Sequence, residues 1–293
     1  MARIAIDPQL CTCCGACVEL CTGNVFELGS ERVEAARVAG CWLCGHCVAV
    51  CPVDAINHSA YPLQECPVLD HTAGPSLDEL VAALRERRSV RVFRTQPVPR
   101  EVVQQLIAVG RWVPSASNGQ PVDWLAFDDP PRIAELSAQA LAVLVHAAWP
   151  ASNAVARFAA RLVLGRRKAA RLLNSAASLQ RLAQRQARGL DPIFWRAPVV
   201  LIAHVPKGSS LGRDDAVYAA YNVMLAAQRL GLGTCQIGYF TVALSRSREL
   251  QRALGLPKNR RVQVALILGY PEYRFRRALS RRQPNLTWDG TKA

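Results

Sequence analysis

The spacing of apolar residues changes character along the chain. Beyond residue 76 it takes the periods of ordinary secondary structure. In SLDELVAALRERRS, Leu77, Leu80, Val81 and Leu84 recur at the three-and-four spacing of one helix face, and Ser76 with Glu79 makes an S-x-x-E capping box at its start. A second helix is expected from about Pro99 to Gly110, with Pro99 near the first turn, where a missing N–H costs nothing. A third, Asp214–Leu230, carries Val217, Tyr221, Met224 and Leu225 as its core stripe and ends at Gly231 as a C-cap. Extended segments are expected at Asp123–Phe127, Pro198–Val205 and Val262–Leu268. The last two are runs of valine, isoleucine and leucine, as in strands buried on both faces. Helices and strands mix without strict alternation, so the fold class reads as α+β.

Before residue 60 the apolar positions shrink to two short segments, NVFEL and AINHS, each trailing a run of cysteines. Residues 58–76, HSAYPLQECPVLDHTAGPS, are rich in proline, glycine and turn formers and read as a linker. The expected division is a small domain at 1–60, a linker at 61–76 and a large domain at 77–293. Within the large domain, residues 151–190 hold Arg157, Arg161, Arg166, Arg167, Lys168, Arg171, Arg181, Arg185 and Arg188 and no acid, with leucines interleaved at helical spacing. A solvated helix face is the plain reading of that stretch; a cap over a site, a dock for an acidic electron donor and a membrane-surface helix are the sharper ones.

Composition narrows the class. The chain has 293 residues and is 51% hydrophobic, enough for a real core. Its start, MARIAIDPQL, lacks the basic and apolar regions of a signal peptide, and the longest apolar run, Ala140–Trp149, is too short to span a bilayer. A cytoplasmic protein with no transmembrane segment is expected. The formal charge of +14 is uneven: residues 1–70 hold three basic side chains against eight acidic ones. No nucleic-acid motif accompanies the basic remainder, so nucleic acid is not expected as a partner.

Nine of the eleven cysteines precede residue 52, in CxxC spacings rather than spread through the fold as a disulfide framework would be. CWLCGHCVAVCP, from Cys41 to Pro52, has the frame C-x2-C-x2-C-x3-C-P. The same frame laid on CTCCGACVELCTG selects Cys11, Cys14, Cys17 and Cys21, leaves Cys13 over, and finds Thr22 where proline is usual. In such runs three cysteines hold one [4Fe–4S] cluster and the fourth reaches the other. One cluster is therefore expected on Cys11, Cys14, Cys17 and Cys51, the second on Cys41, Cys44, Cys47 and Cys21. Zinc is the competing reading, but a zinc ribbon needs four thiolates and eight are in frame here. His46 reads as an exposed neighbour, and Cys66 has no assigned role. Residues 3–60 resemble bacterial two-cluster ferredoxins, with Thr22 the visible departure.

Clusters carry single electrons, and a flavin would convert them to two-electron chemistry. Three stretches suit one. Arg87, Arg88, Ser89 and Arg91 in RRSVRVF combine guanidinium forks with a hydroxyl, a good set for a phosphate. PSASNGQPVDW, from Pro114 to Trp124, offers Ser115, Ser117, Asn118 and Gln120 to a polar ring edge. In AAYNVMLAAQRLGLGTCQIGYF, Gly231, Gly233 and Gly238 let the backbone approach a flat ring closely. That third stretch leaves a helix, whereas a Rossmann fingerprint opens one.

With LGYPEYRFRR at Leu268–Arg277, these stretches in this order resemble the nitroreductase family of FMN flavoproteins, over about residues 78–285 with a variable basic insert at about 130–195. The likeness is to members carrying an N-terminal two-cluster ferredoxin domain. It implies an α+β homodimer with an FMN at each end of the interface. Arg87, Arg88, Ser89 and Arg91 would bind the phosphate and ribityl chain, with Arg274, Arg276 or Arg277 completing the phosphate site. Ser115, Ala116 and Asn118 would reach the FMN bound mainly by the partner subunit. Gly233, Ile237 and Gly238 would lie against the ring system, with Cys235 beside it as packing.

The expected activity is reduction of a small organic acceptor (a nitroaromatic, a quinone or an activated alkene), with electrons from reduced ferredoxin or another low-potential donor relayed through the clusters to FMN. No catalytic protein base or nucleophile stands out. The rivals are an NAD(P)H-driven flavin reductase with accessory clusters, a non-enzymatic electron carrier or redox sensor, and a specialised flavin reaction such as reductive dehalogenation.

Overall fold

A computed structural model describes residues 3–29, 32–148 and 177–289. The chain forms two compact units: Met1–Pro75 together with Pro114–Gln120, and Ser76–Val113 together with Pro121–Ala293.

The first unit is a pseudo-repeat. Strand β1 (Ile4–Ile6) pairs antiparallel with β4 (Ile56–His58), placing Ile4 opposite His58. Between them come helix α1 (Ala16–Leu20), the β2–β3 pair (Glu27–Leu28 and Val33–Glu34) and helix α2 (His46–Val50). Val25, Phe26, Val33, Val48 and Ile56 make a small core, and six cysteines pack against it. The two cysteine runs share a backbone trace. Gly15 and Gly45 precede their helices with φ of 76° and 73°, Cys13 and Leu43 both sit at φ 54°, and Asn24 and Asp54 at φ 49° and 53°. A non-glycine residue held left-handed costs about 1–2 kcal/mol; its repetition at matching positions marks a loop geometry both halves need.

The expected boundaries shift in two places. His58 and Tyr61 belong to the folded first unit, so that unit reaches into the stretch read as linker. Residues 114–120, expected in the large domain, also group with the first unit. Asn118 Nδ2 donates to the Leu43 carbonyl and, at 2.9 Å, to the Tyr61 hydroxyl, which itself donates to Leu43.

The second unit is a four-stranded antiparallel sheet between helices. Its order is β5 (Asp123–Phe127), β6 (Val199–Pro206), β8 (Arg260–Gly269) and β7 (Gly233–Gln236). Val200, Ile202, Ala265 and Ile267 face one core with α5 (Pro130–Ala148), a helix described over residues 177–187 (α6), α8 (Gly238–Arg246) and α9 (Arg248–Ala253). Val199, Leu201, Ala203, Val264, Leu266 and Leu268 face the other core with α4 (Arg100–Gly110) and α7 (Gly212–Arg229). Burial on both faces is why the sequence of these strands is continuously apolar.

Two expectations need correction. The stripe assigned to α7 holds only in part: Met224 is buried, but Val217 and Tyr221 are exposed, and the helix buries Ala216, Ala219, Ala220, Val223 and Ala227 beside Met224. Small side chains let the helix lie close to the sheet, and the larger residues stay outside. The stretch read as an insert also begins in the core, because α5 buries Ile133, Leu136, Ala140, Leu141 and Leu144. Most of the basic stretch 151–190 lies outside the described residues.

Helix α3 (Leu77–Glu86) has its full capping box, with Glu79 N–H donating to Ser76 Oγ and Ser76 N–H to Glu79 Oε2, yet it buries none of its residues. Leu77, Leu80 and Leu84 are exposed.

Candidate functional site

The cysteine loops of the first unit surround two hollows. One is lined by Cys11, Cys14, Cys17 and Cys51 with Ile6, Val33 and Ile56. The other is lined by Cys21, Cys41, Cys44 and Cys47 with Ile4, Val25, Phe26 and His58. These are the two crossed quartets named from the spacing. Among the described residues, no three His, Cys, Asp or Glu side chains converge as ligands of a single ion. Each quartet rings a largely apolar hollow.

Backbone amides point at the sulfurs in matched fashion. Val25 N–H donates to Cys21 Sγ at 3.3 Å and Ala55 N–H to Cys51 Sγ at 3.2 Å. Leu43 N–H donates to Cys41 Sγ at 3.4 Å, and the Cys13 amide does the same for Cys11. Amide hydrogen bonds from Cys13 and Val33 hold the Cys11 thiol below its ordinary pKa. Burial pushes Cys17 up and Cys47 up to about 11, with the neighbouring thiols adding to it. Thiolates in such hollows need a cationic centre among them. Cys13, the spare of the opening run, hydrogen-bonds Cys11. His46 is exposed.

His58 carries no spacing signal in the sequence. It is buried, its Nδ1 accepts from Ala60 N–H at 3.1 Å, and its Nε2 lies 3.5 Å from Cys41 Sγ. Burial holds its pKa down. The Tyr61 ring lies 5.2 Å from it, tilted by 55°. The signal that could have found it is the repeat itself, which sets His58 against Leu28 once Cys51 is aligned with Cys21.

In the second unit a cavity of about 320 Å³ is lined by Arg87, Arg88, Gly233 and Arg274, with Val90, Gln228, Thr234 and Tyr273 among its other walls. Backbone pairing assembles it. Ser89 bridges Thr234 in parallel, Val90 N–H donates to Thr234 O at 2.9 Å, and Phe93 bridges Pro271. A Cβ on Gly233 would stand 2.6 Å from a Val90 methyl, so this approach requires glycine. Arg88 is anchored: Nη1 donates to the carbonyls of Arg85 at 2.9 Å and Arg87 at 2.8 Å, and Nη2 reaches Arg277 O at 3.5 Å. Its Nε is buried without a partner, as is Gln228 Oε1. The Glu86 carboxylate on the same wall is taken up by Arg229 at 2.6 Å and Gln228 Nε2 at 2.7 Å. Among the described residues, the buried atoms left without a partner on these walls are a cationic donor and a neutral acceptor, beside the Arg87 and Arg274 side chains, a fit for an anion joined to hydroxyl groups, such as a phosphate on a sugar-alcohol chain.

Other candidates stand apart from this cavity. Ser89, Arg91, Arg276 and Arg277 are exposed and do not line it. Ile237 is buried as the residue before α8, with Gly238 opening that helix. Cys235 lies in the core. Ser115, Ala116 and Asn118 lie in the segment that groups with the first unit, where both amide hydrogens of Asn118 are already donated.

Residues 84–270, well over half of the chain, match the model of the nitroreductase family. A chloronitrobenzene nitroreductase of Comamonas testosteroni is 27% identical over 214 residues, covering 68% of this chain and 88% of that protein. A ferredoxin of Methanocaldococcus jannaschii is 40% identical over 56 residues, 18% of this chain and 90% of its own length. The structure of a nitroreductase with bound FMN from Bacteroides fragilis superposes with a TM-score of 0.51 at 18% identity, covering 73% of this chain and 97% of that one; at that identity the likeness is one of fold. Among the described residues no helix is long and apolar enough to cross a membrane.

Proposed function

Because the chain belongs to the nitroreductase family, we propose that it is an FMN-dependent oxidoreductase in which two [4Fe–4S] clusters relay electrons to the flavin for reduction of a small organic acceptor: a nitroaromatic, a quinone or an activated alkene. The observation that carries this reading is the presence, on one chain, of two four-thiol hollows and an arginine-lined cavity with a buried, unpaired guanidinium N–H. A reduced ferredoxin or another low-potential one-electron donor would supply the electrons.

When bound, the clusters supply one-electron storage and FMN supplies the conversion to two-electron chemistry. The chain's own part is binding and positioning. Cys11, Cys14, Cys17 and Cys51 hold one set of irons as thiolates; Cys21, Cys41, Cys44 and Cys47 hold the other. Arg87 and Arg88 take the phosphate, Arg274 closes the outer wall, and Gly233 lets the backbone come close. Ser89, Arg91, Ile237 and Gly238, which do not line this cavity, are carried over from the family resemblance as further flavin contacts, with Ser115, Ala116 and the Asn118 side-chain oxygen reaching the FMN of a second subunit. No side chain is asked to act as acid, base or nucleophile.

The test is anaerobic reconstitution followed by turnover. Flavin and cluster absorbance together, and reduction of a nitroaromatic driven by chemically reduced ferredoxin, are expected. A chain that retains no flavin after reconstitution sinks the reading. NADPH bleaching the flavin as fast in a Cys41→Ala/Cys44→Ala variant as in the wild type would favour the NAD(P)H-driven alternative.

The homodimer is part of this proposal. A ten-residue helix such as α3 is marginal alone, and its capping box contributes only about 1 kcal/mol. Its uncovered leucines, and exposed Val217, Tyr218 and Tyr221 on α7, call for a covering surface, and a second copy supplies one. Leu80→Glu with Leu84→Glu is expected to shift the protein from dimer to monomer in sedimentation velocity; a variant that stays dimeric removes α3 from the interface.

A further inference from the structure

We infer that His58 tunes the second cluster, raising its reduction potential by donating a hydrogen bond from Nε2–H to the Cys41 thiolate. The inference rests on the cluster half of the proposed function and goes beyond it by assigning a role to a residue outside every ligand set.

The ring's protonation is fixed by its surroundings. Nδ1 accepts from Ala60 N–H at 3.1 Å, so the proton of the neutral ring is on Nε2. Nε2 in turn is 3.5 Å from Cys41 Sγ, an ordinary length for a bond to sulfur. The ring is buried, and Tyr61 packs beside it at 5.2 Å. Tyr61 is itself anchored through its hydroxyl to the Leu43 carbonyl, within the CWLC loop. His58 therefore has no freedom to turn away from the sulfur.

The repeat supplies the comparison. Amides serve the sulfurs in matched pairs, Val25 to Cys21 with Ala55 to Cys51, and Leu43 to Cys41 with Cys13 to Cys11. On side chains the halves differ. The second quartet receives an imidazole N–H where the first half has Leu28, an exposed apolar residue. The first quartet has a thiol, Cys13, beside Cys11, and the further amide of Val33. An N–H aimed at a ligating sulfur favours the more negative, reduced cluster, and hydrogen bonds of this kind are among the protein's levers on potential. The loop that carries Cys41 is also the one to which Asn118 is bonded. A raised potential thus holds the electron on the cluster beside the segment assigned above to flavin contact.

The test is EPR-monitored redox titration of the full-length reconstituted protein, with iron and labile sulfide measured in the same samples. His58→Leu, which copies the residue of the other half, is expected to lower one midpoint potential and leave the other where it was. His58→Gln, which keeps an N–H donor of similar reach, is expected to stay closer to the wild type than the leucine variant. Two unmoved midpoints in a fully loaded His58→Leu protein overturn the inference, and so do two that fall together. Failure of the wild-type chain to take up iron and sulfide would instead strike at the cluster reading itself.

Discussion

Replacing Cys11 and Cys51 together by alanine is expected to leave half of the iron and labile sulfide in place, whereas replacing Cys11 and Cys21 together is expected to remove nearly all of it. The two double variants delete the same number of thiols and differ only in pairing. Cys11 and Cys51 line one hollow, so their loss leaves the quartet of Cys21, Cys41, Cys44 and Cys47 whole. Cys11 and Cys21 belong to one run of sequence but to different hollows, so their loss breaks both quartets. A cube that lacks one of four thiolates keeps an iron without a protein ligand. The reverse result, half the iron retained in Cys11→Ala/Cys21→Ala, would mean that each run holds its own metal.

Stability should follow the metal. Among the described residues, the apolar core of the first unit is the small cluster of Val25, Phe26, Val33, Val48 and Ile56, with Ala55 also buried and six cysteines packed against the cluster. So small a core needs a staple, and metal binding in such domains is folding free energy. The variant that keeps one cluster is expected to retain protease resistance in this unit, and the variant that keeps none to lose it.

Legibility in the sequence tracked how local each feature is. Ser76 and Glu79 are three residues apart, and their capping box depends on nothing distant, so pattern alone located α3. Strands β6 and β8 were legible because burial on both faces leaves no polar alternation to interpret. Helix α7 was located, but its buried face was placed only in part, at Met224. Hydrophobicity points to Val217 and Tyr221, while the sheet selects Ala216, Ala220 and Ala227 for closeness. Which cysteines line each hollow agrees with the CxxCxxCxxxC spacing, because that spacing holds three of each four on one loop. His58 was not legible, since a histidine ending a three-residue strand becomes a neighbour of Cys41 only once β4 has folded back against β1. Arg87 and Arg88 could be named from their chemistry, but their meeting with Arg274 depends on Phe93 pairing with Pro271, a contact that no local pattern announces.

Arg88→Ala is expected to weaken FMN binding by about 10- to 150-fold while leaving riboflavin binding nearly unchanged. The guanidinium is positioned before any ligand arrives, because Nη1 is spent on the carbonyls of Arg85 and Arg87, and Nε is buried with nothing to bond. A buried donor left alone costs about 1–3 kcal/mol, and a hydrogen bond to a charged group contributes about 1.5–3 kcal/mol. At about 1.4 kcal/mol per tenfold, the latter sets the expected range. Removing the side chain also frees the carbonyls at the end of α3, so a fall in FMN affinity alone would not separate phosphate binding from fraying. Riboflavin makes the separation, since it shares the ring and ribityl chain and lacks the phosphate. Fluorescence-quenching titrations of both flavins should show the ratio of their dissociation constants collapsing in Arg88→Ala. Arg88→Lys, which keeps the charge and loses the planar fork, should fall between the alanine variant and the wild type. Arg274→Ala should cost less than Arg88→Ala, because Arg274 is exposed at the rim and screened by water. If FMN and riboflavin weaken by the same factor in Arg88→Ala, the residue supports the end of a helix and the phosphate lies elsewhere.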